Sequence, residues 1–260
     1  SLVPSTVTTL IFTDEIKPVQ SNIIDVDADG DGGVIAWLDD AAGTIMKIST
    51  QVKYKKVQAA KYSYKMLYDK SNITSIDFGN FDTANTKIMS YMFAGCSKLK
   101  EIDLSTCDMN NAIDMDRMFA GCSNLTKVYL PKSANNVEIA EAMFVGCVFL
   151  SDLKLMSNLP KLSIAQAMFN CCENLTSIVM PSTGNRLKDV SYMFGGCTNL
   201  RTVNFSNVVD STNLENMCSM FTNCTSLNDS QILSYLNTQN VTNMDNLFGG
   251  CTSLTKLNLQ

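Results

Sequence analysis

The sequence is dominated by an internal repeat with a period of 25 to 27 residues. Seven cysteines mark the repeat, and each has Phe three positions before it and Leu three positions after it: Cys96, Cys122, Cys147, Cys172, Cys197, Cys224 and Cys251. One period before Cys96 the chain has Lys70 in the cysteine position, which makes eight units with a degenerate first one. A period of this length is typical of stacked repeats, in which no unit buries its apolar face alone. The sequence therefore predicts a solenoid.

Each unit contains two local patterns. After the cysteine, apolar residues such as Ile102 and Leu104 lie two apart, which predicts a half-buried strand. Before the cysteine, the run from Ile88 to Phe93 spaces apolar residues by three or four, which predicts one or two turns of α or 3₁₀ helix. The unit that contains Cys224 departs from this pattern, because residues 228–236 are typical of a capped helix instead of a strand.

The repeat resembles a leucine-rich repeat, and more closely the bacterial surface protein 26-residue repeat, or BspA-like, family. The segment from Met92 to Asp108 matches that family's unit nearly throughout, and the segment from Ile76 to Thr83 matches its strand and following turn. The resemblance covers about residues 34–260. The predicted fold class is thus an α/β repeat, a right-handed leucine-rich-repeat-like solenoid with a short β-rich N-terminal cap. Residues 1–65 form the predicted cap, and residues 66–260 form a solenoid of about eight units.

Composition excludes several classes of function. The chain has no histidine, which removes Ser-His-Asp and Cys-His catalysis and His-ligated zinc. A net charge of −5 argues against broad nucleic-acid binding, which needs a clustered basic surface. A glycosidase would need paired carboxylates in a pocket. Asp103, Asp108, Asp114 and Asp116 cluster in one repeat. Solenoid aspartates usually serve turns, however, and we predict that the protein is not an enzyme.

The cysteine ladder permits a redox, a metal or a structural interpretation. Stacked units lie about 5 Å apart, within reach of a disulfide, but parallel Cβ vectors suit that bond poorly. Zinc sites usually use Cys-x-x-Cys pairs, which the chain lacks. We therefore predict that the seven cysteines are small core residues of a structural ladder.

The exposed side of the strand ladder is a candidate binding face. Its members lie between the two buried strand positions of their units: Asp77, Asp103, Tyr129, Lys154, Val179, Asn204 and Asn258. They vary in charge and size while the surrounding pattern stays fixed. Such variation fits a recognition surface and fits neutral drift on a solvated face equally well.

An acidic loop precedes the repeats. Asp27, Asp29 and Asp31 alternate before a glycine, as at the start of a calcium loop, where such carboxylates converge on one cation. Leu38 stands where the bidentate Glu of that loop belongs. The alternative is an acidic, glycine-rich turn that binds nothing. The sequence predicts no cofactor, with calcium at this loop as the alternative.

Charge is distributed unevenly near the N-terminus. Residues 1–45 carry one lysine against eight acidic residues, a net charge of −7, and residues 46–70 carry seven lysines against one aspartate, a net charge of +6. Lysines alternate with tyrosines over residues 53–56 and 61–65. This pattern indicates either a docking patch for an anionic partner or a cap whose charges cover the first repeat.

Together these observations predict a non-enzymatic cell-surface or secreted recognition module that binds a protein or a glycan through the solenoid face. The resemblance implies bacterial adhesion, with an extracellular matrix protein or another surface protein as partner. The alternative is a structural spacer or assembly module without a soluble ligand.

Location and self-association are the remaining expectations. No run approaches the roughly 20 apolar residues of a membrane span, so we expect any signal or lipid anchor to lie upstream of the visible chain. The C-terminal repeat ends at residues 257–260 without a polar capping segment, which predicts end-to-end self-association.

Overall fold

A computed structural model describes residues 2–18, 22–26, 32–205 and 209–258. Within these residues the chain forms short strands and one 3₁₀ helix, Ile232–Tyr235. The strands are β1 Thr9–Phe12, β2 Ile24–Asp25, β3 Ile35–Leu38, β4 Ile45–Ser49, β5 Val57–Gln58, β6 Ser75–Asp77, β7 Phe81–Asp82, β8 Glu101–Asp103, β9 Lys127–Tyr129, β10 Asp152–Lys154, β11 Asn158–Leu159, β12 Ser177–Val179, β13 Ser182–Thr183 and β14 Thr202–Asn204.

The N-terminal strands join the first repeat through one sheet. Its order is β2-β3-β4-β1-β6, in which β1 pairs in parallel with β4 and with β6, the strand of the first unit. The pairs β2–β3 and β3–β4 are antiparallel. Leu10, Trp37 and Met46 are fully buried, and the apolar core of this region continues into the repeats. The N-terminal segment thus extends the strand ladder of the array at its first unit.

Successive repeats stack through parallel pairing along more than one line. Strands β8, β9 and β10 form one parallel sheet, and β12 pairs in parallel with β14. A second line of parallel bridges links equivalent residues of neighbouring units, from Tyr62–Ile88 to Asn216–Asn243. The result is a leucine-rich-repeat-like fold in which each of the first six units contributes one short strand and one compact turn.

The helical turns predicted before each cysteine do not form. Tyr91 and Gly95 adopt left-handed φ values of 56° and 78°, and equivalent residues do so in the other units. Alternate backbone N–H groups donate to the next unit: those of Met89, Tyr91, Phe93 and Gly95 bond to the carbonyls of Asp114, Asp116, Met118 and Ala120. An α-helix would keep these donors within its own segment. Pairing between repeats therefore replaces the helix, and the α/β prediction is wrong in its α part.

The unit that contains Cys224 has a helix in place of the strand, as predicted, but this helix is shorter than the sequence indicates. Residues 228–236 were expected to form a capped helix, and the structure has a 3₁₀ helix at Ile232–Tyr235. Gln231 precedes it without a side-chain capping hydrogen bond. Ile232 is buried, so this helix contributes to the core where the other units place their strand.

A stack of phenylalanine rings runs through the core. Neighbouring rings lie 5.3 to 5.6 Å apart between centroids and within 12° of parallel: Phe93, Phe119, Phe144, Phe169, Phe194, Phe221 and Phe248. All but Phe248 are fully buried. These separations fall within the range of favourable aromatic pairs. The stack therefore couples each unit to both of its neighbours.

The repeat cysteines form a second ladder beside the rings. Each thiol donates a hydrogen bond of 3.0 to 3.2 Å to a backbone carbonyl of the preceding unit, which belongs to Leu67 for Cys96 and to the repeat phenylalanine for the others. The carbonyl of Phe93, for example, also accepts the backbone N–H of Cys96. All ten cysteines of the chain are free thiols. The cysteine is thus a small core residue that also satisfies the second lone pair of a buried carbonyl.

Replacement of one ring tests the stack. Phe144 lies between Phe119 and Phe169, and we expect Phe144→Ala to lower the free energy of unfolding by about 3 to 5 kcal/mol, because it leaves a cavity and removes two ring contacts. Phe248 is half-buried and stacks on Phe221 alone, so Phe248→Ala should cost roughly half as much. Urea unfolding followed by circular dichroism measures both losses. Equal losses would contradict a stack that is anchored on both sides.

The thiol ladder predicts a loss of stability at alkaline pH. Burial raises the pKa of the Cys96, Cys147 and Cys224 thiols to about 12. Above pH 9 the unfolded thiols ionise while the folded ones stay protonated, so the unfolded chain binds fewer protons and the free energy of unfolding falls as pH rises. We expect a loss of about 1 kcal/mol per buried thiol between pH 8 and pH 10, and none from this source below pH 8.

Urea titrations across this range measure the slope, and Cys147→Ala provides the comparison. That variant should lose stability less steeply with pH than the unmodified chain, by the contribution of one thiol. An identical slope in both proteins would mean that the ladder thiols do not govern the alkaline transition.

Candidate binding surface

The structure places the predicted binding face in separate groups. Asp103, Tyr129 and Lys154 are direct neighbours on β8, β9 and β10, and Val179 pairs with Asn204 on β12 and β14. The two remaining members stand apart: Asp77 lies on β6, in the N-terminal sheet, and Asn258 lies in the last unit outside any strand. Tyr129 and Asn258 are half-buried and the other five are exposed. The predicted row is therefore not continuous.

The first group forms a connected set of side chains. The Lys154 ammonium lies 4.8 Å from the centre of the Tyr129 ring, and the Tyr129 hydroxyl donates a 2.8 Å hydrogen bond to Asp152. This bond raises the pKa of the Tyr129 hydroxyl. Hydrogen bonds from Ser105 lower the pKa of Asp103, which therefore stays ionised. The surface beside β10 thus presents one cation, two carboxylates and one aromatic ring.

A cleft separates the two groups. β10 and β12 belong to adjacent repeats but to different sheets, and in the described residues each pairs on one side only. A concave surface of about 700 Å³ lies along both strands, and its lining also includes Ser105, Leu130 and Lys132 of the preceding repeats. Leu153 and Leu155 of the β10 repeat are half-buried there, whereas the equivalent Val128 and Leu130 are fully covered. The strand ladder is open at this point.

The cleft combines an apolar floor with a polar rim. Its floor includes Leu130, Leu153, Leu155, Ile178 and Met180. Lys132, Asp152 and Lys154 supply charge at the rim, with serine hydroxyls between them. Ligand sites commonly have this arrangement of apolar lining and few polar groups. Sequence reasoning missed the cleft, because β10 and β12 show the same apolar pattern as strands that do pair.

The four aspartates between Cys96 and Cys122 serve local structure. The carboxylates of Asp103, Asp108 and Asp114 each accept the backbone N–H two residues ahead, which closes a turn. Asp116 forms a 2.8 Å ion pair with Arg117, and Arg117 also contacts Glu141 at 2.7 Å. Burial raises the pKa of Asp116. All four aspartates are thus occupied by turns or ion pairs.

Some of the lysines in residues 46–70 form ion pairs with acidic side chains of residues 1–45. Lys47 contacts Glu15 at 2.7 Å and Asp39 at 2.9 Å, and Lys53 contacts Asp14 at 3.3 Å. These pairs join the acidic segment to the basic one, as the cap interpretation expects. In the part of the chain that the structure describes, Lys61 and Lys65 of the basic segment make no such pair, and they are treated below.

The calcium prediction concerns residues outside the described part of the chain. Asp27, Asp29 and Asp31 all lie there. Within the described residues, no group of three or more His, Cys, Asp or Glu side chains is arranged to hold a metal ion. Calcium binding at the acidic loop therefore stays a prediction.

The stacked parallel units and their repeated strand define a leucine-rich repeat protein. A family model described as the BspA-type leucine-rich repeat region matches residues 60–191 in six copies. Because this match covers just over half of the chain, the chain belongs to the BspA-type leucine-rich repeat family, as the sequence predicted. A second model, described as a Mycoplasma protein of unknown function, DUF285, matches residues 188–260.

One solved structure and a search of curated proteins complete the comparison. The chain is similar to the crystal structure of a leucine-rich repeat protein from T. pallidum, at 19% sequence identity and a TM-score of 0.40, over 78% of this chain and 73% of that one. No curated protein matches the chain.

Family membership supports a general class of function. Leucine-rich repeats are typically non-enzymatic protein-interaction modules, and BspA-like proteins are often secreted or found at the cell surface. In the described residues, no helix has the length and apolar character needed to cross a bilayer.

Proposed function

We propose that this chain is a non-enzymatic recognition module of a cell-surface or secreted bacterial protein, and that it binds an extracellular protein through the strand face. The observation that carries the proposal is the cleft between β10 and β12. There β10 and β12 do not pair, and Leu153 and Leu155 are half-buried, whereas the equivalent residues of the repeats on either side are buried.

An extended segment of the partner fits the chemistry of this cleft. β10 and β12 each have one edge that no described strand pairs with, and strand edges recruit extended chains through backbone hydrogen bonds. The floor residues would accept apolar side chains of that segment. Backbone pairing supplies affinity and side-chain pockets supply specificity in this mode of recognition.

The connected side chains beside β10 give the surface an orientation. Lys154 and Asp152 have opposite charge and both contact Tyr129, Lys154 at the ring and Asp152 at the hydroxyl. Complementary charges at the rim of an interface set the register of the partner and speed its association. A tyrosine with its hydroxyl already bonded supplies rigid contact area at low entropic cost.

A screen of the purified chain against extracellular matrix proteins, at physiological salt, tests this function. Val179→Glu and Lys154→Glu should each weaken the partner's binding by about tenfold, because they place an anion at the cleft. Hydrogen exchange should also show new protection of the amides of residues 153–155 and 177–179 in the complex.

Matched variants provide the controls. Val52 and Val179 are similarly exposed, at 51% and 54%, and Lys256 is an exposed lysine four repeats beyond Lys154. Val52→Glu and Lys256→Glu should leave the affinity unchanged. Full affinity in both cleft variants, or an equal loss in the controls, would contradict a site at the cleft.

The alternative, an assembly module without a soluble ligand, has its own supporting observation. In the last described unit, Phe248, Cys251 and Leu254 are half-buried, whereas equivalent residues of inner units are fully buried. A second copy of the chain, like a following repeat, would cover these residues in the way that inner units are covered.

Sedimentation velocity at high protein concentration tests the assembly. Leu257 is 39% exposed on the end face, and Leu257→Asp should convert oligomers to monomers because it buries a charge in the contact. Leu38→Asp, on β3 and 38% exposed, serves as the control. A strict monomer before any substitution would contradict self-association.

A further inference from the structure

A patch of basic and aromatic side chains lies on the turn side of the first two repeats. This basic–aromatic patch consists of Lys61, Tyr64, Lys65, Tyr68, Lys87 and Tyr91. Tyr64 and Tyr68 are 53% and 45% exposed, and the three lysines are exposed. The ring of Tyr91, from the second unit, contacts the rings of Tyr64 and Tyr68 at 5.8 and 6.2 Å. The ladder thus joins residues that the sequence separates by 23 to 27 positions.

Lys65 lies at the centre of the three rings. Its ammonium is 5.0 Å from the centre of the Tyr64 ring, 4.8 Å from Tyr68 and 5.4 Å from Tyr91. Cation–π contacts of this kind stabilise the charged form and hold the ammonium in place. The hydrogen bond with Tyr64 raises the pKa of Lys65, so the charge is permanent at physiological pH.

The lysines of the patch lack the carboxylate partners found elsewhere. In the described part of the chain, Lys61, Lys65 and Lys87 have no acidic side chain within ion-pair distance. Lys188 shows the contrast, since it occupies the same line of the repeat ladder as Lys87 and pairs with Glu215 at 2.9 Å. The patch is therefore a concentrated positive charge on a protein whose net charge is −5.

The repeat spacing sets the spacing of these charges. The backbone N–H of Lys87 donates to the carbonyl of Lys61, so the two lysines start from adjacent rungs about 5 Å apart. That distance is close to the length of one sugar in a polysaccharide. A polymer that carries one anion per sugar can thus match consecutive lysines along the ladder.

We propose that the basic–aromatic patch binds an acidic polysaccharide, whose carboxylate or sulfate groups pair with Lys61, Lys65 and Lys87 while its sugar rings pack against Tyr64 and Tyr68. The apolar C–H face of a sugar ring packs on an exposed aromatic face. The combination of exposed rings with unpaired cations favours a charged sugar polymer over an acidic peptide, which would need the cations alone. This site is separate from the cleft and does not depend on the protein-binding proposal.

Calorimetric titration with oligogalacturonate, which carries one carboxylate per sugar, tests the proposal. We expect saturable binding that weakens as salt rises, because the exposed ion pairs are screened. Lys65→Gln, Lys87→Gln and Tyr68→Ala should each weaken binding by about five- to tenfold. Fully methyl-esterified oligogalacturonate has the same backbone without the charges and should not bind measurably.

Two variants at equivalent repeat positions control for general surface effects. Tyr192 occupies the position of Tyr91, is 43% exposed and has a φ of 55° against 56°, yet in the described residues no cation lies over its ring. Tyr192→Ala and Lys188→Gln should both leave binding within about twofold of the unmodified chain. Thermal melting confirms that each variant is folded.

Several results would overturn the proposal. The esterified oligomer could bind equally well, or Lys65→Gln could leave the affinity unchanged. Polyglutamate or phosphatidylserine vesicles could also bind as tightly as oligogalacturonate. The last two probes would assign the patch to an acidic peptide or to an anionic membrane instead. Lys154→Glu, at the cleft, should not alter oligogalacturonate binding, which keeps this site distinct from the proposed protein site.

Discussion

The structure depends on how the carbonyl of each repeat phenylalanine is satisfied. Phe93 illustrates the arrangement, since its carbonyl accepts the N–H of Cys96 in its own unit and the thiol of Cys122 in the next. One oxygen thereby closes a turn and joins two repeats. A buried carbonyl with an unused lone pair is costly, and a larger residue in the cysteine position would separate the units. The same contact recurs for Cys147, Cys172, Cys197, Cys224 and Cys251, so it joins each of these units to the one before it.

Periodicity in the sequence was sufficient to predict the repeat and its half-buried strands, because both depend on residues within one unit. The helical turns were predicted wrongly for a physical reason. An apolar spacing of three or four fits a helix, and it also fits a turn with left-handed residues such as Tyr91 and Gly95. The choice is decided by whether alternate N–H groups bond within the segment or to the next unit. Hydrogen bonding to the next repeat competes with hydrogen bonding inside the segment, and the sequence of one repeat does not show which of the two forms.

The candidate sites were also predictable only in the parts that depend on a single repeat. Exposure of Asp103, Lys154 and Val179 was predictable from alternation along a strand. The cleft was not predictable, because the repeat pattern makes every pair of neighbouring strands look equivalent. The residues of β10 and β12 carry no sequence signal that these two strands do not pair. The basic–aromatic patch was half visible in the sequence: residues 61–65 showed it, but Lys87 and Tyr91 join it only through the ladder.

A repeat array separates the demands of stability from those of recognition. Rings and thiols inside are nearly identical from unit to unit, so each surface position can change without disturbing the stack. At the cleft the strands β10 and β12 of two adjacent units do not pair with each other, although β11 and β13 of the same units do. A ligand strand that bonds to β10 or β12 would supply the missing pairing and would bind the folded array alone. Binding at the cleft would therefore stabilise the folded array against unfolding.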